Sequence, residues 1–201
     1  MMPFDLRKLV FRTVVAPQEV ARALIAWNPP NEARWIGVAL VAVASVILGT
    51  VGEGLLTVLS RGGVPFSNMA FTLGPMQFVM PVVIAFLMAF MGRRFGGTGQ
   101  FRDALLLSAW MQGVMTVIQA IQIVVMIFFP MTALVALSFA IIALLMHLLV
   151  NFTAALHGFT NLISVAAGVV FTAIIVIFLT ALILGAFLSS AGFVPVDALP
   201  S

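Results

Sequence analysis

The 201-residue sequence is 63% hydrophobic and 7% charged, where an ordinary globular domain carries roughly 25% charged residues. That balance excludes a water-soluble fold for most of the chain and leaves little room for a soluble catalytic domain beside its apolar segments. The net charge of +3 reads as a membrane-topology signal rather than a nucleic-acid footprint, and the absence of cysteine excludes disulfides, thiol nucleophiles and cysteine-based metal sites.

Residues 1–34 form a polar N-terminal segment holding five of the nine basic residues, Arg7, Lys8, Arg12, Arg22 and Arg34. Pro17, Glu19 and Arg22 follow the first charges where a signal peptide would have its apolar stretch. Pro17 can open a helix with Glu19 in its first turn. Val20, Leu24 and Trp27 then share one face, up to the stop at Asn28-Pro29-Pro30. This predicts an amphipathic helix that lies in the membrane interface or packs on the loops of its own protein.

Five apolar runs follow, at 35–59, 74–91, 104–129, 131–150 and 162–189, within a transmembrane domain of residues 35–190 and before a short tail, 191–201. Each is long enough to cross a hydrocarbon core of about 30 Å. Pro81 should kink the second span, and Pro130 alone separates the third from the fourth, which predicts a tight helical hairpin. The expected fold is all-α: a polytopic bundle of five transmembrane helices with an N-terminal interfacial amphipathic helix. The basic residues place the N-terminus, and with it Arg93, Arg94 and Arg102, in the cytoplasm, and send the tail to the external or periplasmic side.

The most specific signal is Gly92-Arg93-Arg94-Phe95-Gly96-Gly97-Thr98-Gly99-Gln100-Phe101-Arg102-Asp103. Together with Ala16-Pro17-Gln18-Glu19 it resembles the Yip family, five-span membrane proteins named for interaction with Ypt/Rab GTPases. The family shows a proline-containing helix before the membrane and a glycine-rich turn leading into the third span. The resemblance implies an all-helical bundle, a cytoplasmic N-terminus, self-association or pairing with relatives, and no enzyme activity. Arginine outnumbers lysine eight to one, which points to a bacterial member in an inner membrane. On physical grounds Gly96, Gly97 and Gly99 can adopt turn geometry and expose amides. Phe95 and Phe101 can anchor at the interface, and Arg93, Arg94 and Arg102 can meet anionic lipid phosphates. The turn is read as either a connector with topology charges or a lipid- or partner-binding site.

Polar groups inside spans are costly, and they are candidates for function or for helix-to-helix bonding. Ser108, Gln112, Thr116, Gln119 and Gln122 share a face of the third span, while Ala42, Ser45, Gly49 and Gly52 form a small-residue stripe on the first, ending at Glu53. Depth counted at about 1.5 Å per residue places Glu53, Gln77, Gln119 and Gln122 toward the outer leaflet, and Gln112, His147 and Asn151 toward the inner one. A carboxylate ringed by amides could hold a cation or proton, and His147 could relay protons. Otherwise these groups bond neighbouring helices.

Catalysis has little support: one acidic residue in the spans, no HExxH-like spacing for a metal, and no carboxylate near His157 in sequence. No cofactor, metal or catalytic residue is expected. The expected role is a noncatalytic membrane-organising scaffold that contacts membrane lipids, anionic ones included, and forms a homo-oligomer or pairs with another membrane protein. The alternative is a small transporter or channel for a cation, a proton or a small solute. Five crossings put the termini on opposite faces. A reporter fused at Met1 should report the cytoplasm and one at Ser201 the external side, whereas two cytoplasmic readings would remove a span.

Overall fold

The computed structural model describes residues 6–60, 68–129 and 131–190. Arg61, the Pro130 connection and the tail from residue 191 lie outside the described residues. The chain forms α1 (Leu6–Val15), α2 (Pro17–Trp27), α3 (Asn31–Leu59), α4 (Met69–Thr72), α5 (Gly74–Arg94), α6 (Phe101–Phe128), α7 (Met131–His157) and α8 (Leu162–Ser190). Four of these are apolar enough to cross a membrane over Asn31–Leu59, Gly74–Arg94, Phe101–Phe128 and Val135–His157, and a further apolar stretch covers Leu162–Phe178 of α8. Helix α5 continues through Pro81.

The core lies where α3, α5, α6 and α7 meet, around Val38, Ala85, Met88, Leu107, Met111, Leu148 and Phe152. In the bilayer apolar surface alone does not drive helices together, so close approach needs small residues and polar bonds. The stripe on the first span does this against α6. Ser45 Oγ lies 2.7 Å from Thr116 Oγ1. A Cβ on Gly52 would sit 3.5 Å from Ile123, and one on Gly113 3.5 Å from Val41.

Pro17 sits in the first turn of α2, as the sequence predicts, and Asn28 stops the helix in the left-handed region at φ 45°, its N–H donating to the Ile25 carbonyl. Pro17, Val20, Ala21 and Leu24 are buried, and α2 packs along α7 and the start of α6, so its apolar face covers the bundle while Glu19, Arg22 and Trp27 are exposed. Helix α1 is an addition to the sequence reading. Leu9 and Thr13 on its buried face point inward, and the Thr13 hydroxyl donates to the Leu9 carbonyl while accepting from Trp110 Nε1 at 3.0 Å.

One arginine read from sequence as a topology charge is a buried tie. The Arg34 side chain is 1% exposed, and its Nη1 lies 3.0 Å from Asp103 Oδ1 in the first turn of α6. Its Nε donates to the Pro29 carbonyl and its Nη2 to Asn28 Oδ1, so one planar fork fixes the α2–α3 corner to the start of α6. Every described basic residue lies on α1 or α2, or in the terminal turn of a spanning helix at this basic end of the bundle. Removing one partner of a buried ion pair strands the other. Arg34→Ala should therefore cost about 3 kcal/mol in thermal or denaturant unfolding in detergent, with Arg34→Lys recovering only part because an ammonium cannot match the fork.

Candidate functional site

The glycine-rich turn closes α5 through two backbone bonds. Gly97 N–H donates to the Gly92 carbonyl and Gly96 N–H to the Arg93 carbonyl, with Gly96 in the left-handed region at φ 84°. That is the Schellman stop, and it turns the chain back toward α7. Helix α7 ends in a similar way: Gly158 has φ 74° and Phe159 N–H donates to the Ala154 carbonyl.

Between the two stops lies His157. Its Nδ1 accepts from the Gly99 N–H at 3.0 Å, and its Nε2 sits 3.0 Å from the Met88 carbonyl. An amide can only donate and a carbonyl can only accept, so Nδ1 is the acceptor and Nε2 carries the proton: the neutral Nε2–H tautomer. Phe159 stacks on the ring at 5.4 Å. Three glycines make the space. A Cβ at Gly92 or Gly97 would overlap the imidazole, and one at Gly99 would lie 2.6 Å from Leu156 and 2.7 Å from the ring. His157 has no carboxylate near it in sequence, and its partners are backbone groups 58 and 69 residues away.

The turn therefore has two faces. Gly97 and Gly99 face the ring, whereas the side chains of Arg93, Arg94, Phe95 and Arg102 are exposed, as is Gly96. Arg93 Nε donates to the Ala89 carbonyl, Arg94 stands over the Phe90 ring at 5.0 Å, and Arg102 Nε is 4.0 Å from Asp103. Phe101, expected as an interfacial anchor, instead packs against the core.

The intramembrane polar residues do not divide into the two depth groups that the residue count predicts. Gln112 Nε2 lies 3.3 Å from both Gln77 Oε1 and Ser45 Oγ, and Gln119 Nε2 lies 3.4 Å from the Ser45 carbonyl. One network thus joins Gln112 to Gln77 and Gln119. Counting from span starts treats helices as straight rods along the membrane normal, whereas tilt and long amide side chains bring different counts together. Glu53 is half-buried further along α3, its backbone carbonyl accepting from Thr57, and Gln122 is half-buried on α6.

A second polar chain runs along the α2–α7 seam. Arg22 donates to Gln18 Oε1, Gln18 Nε2 to Asn151 Oδ1, and Asn151 Nδ2 to the His147 carbonyl at 2.8 Å. His147 itself is exposed. Among the described residues, no group of three or more His, Cys, Asp or Glu side chains could hold a metal ion.

The glycine cradle yields a test in which the sign of the effect is informative. Alanine is the better helix former by about 1 kcal/mol, so Gly92→Ala should stabilise α5 if only propensity acts. With His157 in place the overlap should dominate and the melting temperature should fall, whereas in a His157→Ala background the same change should raise it. A double-mutant cycle showing additive effects would separate Gly92 from the ring.

Comparison with known proteins agrees with this layout. No curated protein and no solved structure matches the chain. The Yip1 domain family model, however, matches residues 11–188, from within α1 to near the end of α8, and takes in the glycine turn, His157 and Arg34. With most of the chain covered, the protein is a membrane protein of the Yip1 domain family.

Proposed function

We propose that this protein is a noncatalytic membrane-organising scaffold, held in a bacterial inner membrane with its basic end in the cytoplasm. The observation that carries the reading is how the functional-looking groups are spent. Both His157 nitrogens bond backbone, and the Arg34 fork is shared among Asp103, Asn28 and Pro29. The intramembrane amides and hydroxyls bond one another across α3, α5 and α6, which supports helix-to-helix bonding over a solute path. What is displayed outward is Arg93, Arg94 and Arg102 beside an exposed Phe95, a surface suited to anionic headgroups and to a second membrane protein or another copy of the chain.

Reconstitution in mixed lipid tests this. Wild-type protein should retain anionic over zwitterionic lipid in native mass spectrometry. The triple variant Arg93→Gln, Arg94→Gln, Arg102→Gln should lose most of that preference, at about 1 kcal/mol per charge near the surface, with its unfolding temperature unchanged. Vesicles carrying the wild type should show no proton or cation flux. Flux that disappears in Glu53→Gln at unchanged thermal stability would overturn the scaffold reading in favour of transport.

A further inference from the structure

The basic end carries an extra layer of protein, and that layer begins at a definite height. On α6 the outward row Val117, Ile121, Val124 and Phe128 is exposed at helical spacing. Continued toward the start of the helix, the same row passes Trp110 and Leu106, and there it is covered. Thr13 of α1 accepts from Trp110, α2 packs alongside, and Ala104 to Ala109 are buried without a break. From Phe128 back to Trp110 is about 27 Å of helix. On α7 the cover begins at Asn151, which accepts from Gln18 of α2, and from Met131 to Asn151 is about 30 Å. Two helices thus measure the same distance, that of a hydrocarbon core of about 30 Å, between the far end of the bundle and the level of α1 and α2. Because Trp110 lies on the outward row of α6, the helix laid over it is on the lateral surface, at the edge of the hydrocarbon.

At that level the two added helices differ. Helix α2, for which the sequence predicts an interfacial place, turns Val20, Ala21 and Leu24 into the protein. Helix α1 turns Leu9 and Thr13 inward but has a second face, where Phe11 and Val15 are 69% and 66% exposed beside an exposed Val14. These three lie at i, i+3 and i+4, opposite the buried pair, so they form one apolar surface aimed away from the protein. Arg7 and Lys8 stand exposed one turn earlier on the same side, and the exposed Arg12 is paired with Glu19. Helix α1 contains no acidic residue. A second copy meeting this face about a two-fold axis would set like charges against each other, whereas an apolar strip flanked by cations complements the acyl–headgroup boundary of an anionic leaflet. All three tryptophans of the chain, Trp27, Trp35 and Trp110, are at this end of the bundle, as a membrane-interface belt requires.

We propose that α1 is the interfacial helix of this protein, its outer face of Phe11, Val14 and Val15 seated at the acyl–headgroup boundary of an anionic leaflet with Arg7 and Lys8 among the headgroups. This uses neither the turn arginines nor the side of the membrane on which the basic end lies, so it stands apart from the scaffold reading.

The chain has no cysteine, so cysteines introduced one at a time each carry a nitroxide at a single position of the full-length protein, reconstituted in vesicles containing phosphatidylglycerol. Collision with oxygen, which concentrates among acyl chains, is compared with collision with a water-soluble nickel chelate. Labels at Phe11→Cys and Val15→Cys should favour oxygen, as should the reference Phe139→Cys, exposed on α7 about 18 Å from Asn151 on the hydrocarbon side. Arg102→Cys, about 12 Å beyond Trp110 on the other side, should favour the chelate. In phosphatidylcholine alone the labels at 11 and 15 should shift toward the chelate, and in an Arg7→Gln, Lys8→Gln background this dependence on headgroup charge should disappear. Circular dichroism confirms that each variant is folded. Labels at 11 and 15 that favour the chelate as Arg102→Cys does would put the face in water and overturn the proposal. So would labels that neither reagent reaches or that broaden one another between protomers, which would put a second copy there, and so would a collision ratio indifferent to headgroup charge.

Discussion

The approach of α5 to α7 at the basic end is limited by one imidazole. His157 occupies the volume that a Cβ at Gly92, Gly97 or Gly99 would need, and it is held by bonds to two backbone groups, one on α5 and one in the turn. With both nitrogens engaged, the ring cannot rotate without leaving the buried Gly99 amide unsatisfied, a loss of about 1–3 kcal/mol. The geometry of the turn follows from that anchor. Its amides and glycine faces are drawn inward, and the arginine side chains are left on the other side. Display of positive charge and packing of the basic corner are therefore one arrangement, and a glycine substitution acts on both.

Further into the bundle, a different physics applies. Lipid tails are as apolar as leucine, so burying Val38 or Leu107 against another helix gains little from the hydrophobic effect itself. The contact of α3 with α6 relies instead on small residues that let dispersion act at short range and on bonds such as Ser45 to Thr116. Interhelical hydrogen bonds of this kind contribute about 0.6 kcal/mol each on average, so no single one holds the interface. Their value is in register: Ser45 meets Thr116 and Gln112 at one sliding position of the two helices.

Much of this fold is legible in the sequence, because apolar runs of spanning length and a proline followed by an acidic first turn are local patterns. The stripe of Ala42, Ser45, Gly49 and Gly52 also announces a close helix partner, although not that the partner is α6. Helix α1 is legible as well, since Leu6, Leu9, Val10 and Thr13 recur at helical spacing among Arg7, Lys8 and Arg12. The site is not. The glycines of the turn look like flexibility for a loop, yet Gly97 and Gly99 are small so that a histidine 58 residues beyond Gly99 can enter. Arg34 looks like one more positive charge near a span, and nothing local pairs it with Asp103, 69 residues on. Topology signal and buried tie use the same residue type, so only the tertiary contact separates them.

Helix α8 contrasts with that tied corner. Its described side-chain bonds are local: Asn161 Oδ1 accepts from the amides of Ile163 and Ser164, and Thr172 donates to the Gly168 carbonyl. Among the described residues no side-chain hydrogen bond joins α8 to another helix, so neither polar bonding nor a hydrophobic drive pulls it onto α5. In water the apolar gap left between α5 and α8 would favour collapse, because exposed apolar surface costs about 25 cal/mol per Å². In a bilayer the gap is filled by the solvent itself, and the cost of leaving it open is small. A bundle rigid around His157 and Arg34 yet open beside α8 is therefore an arrangement that a bilayer tolerates and water would not.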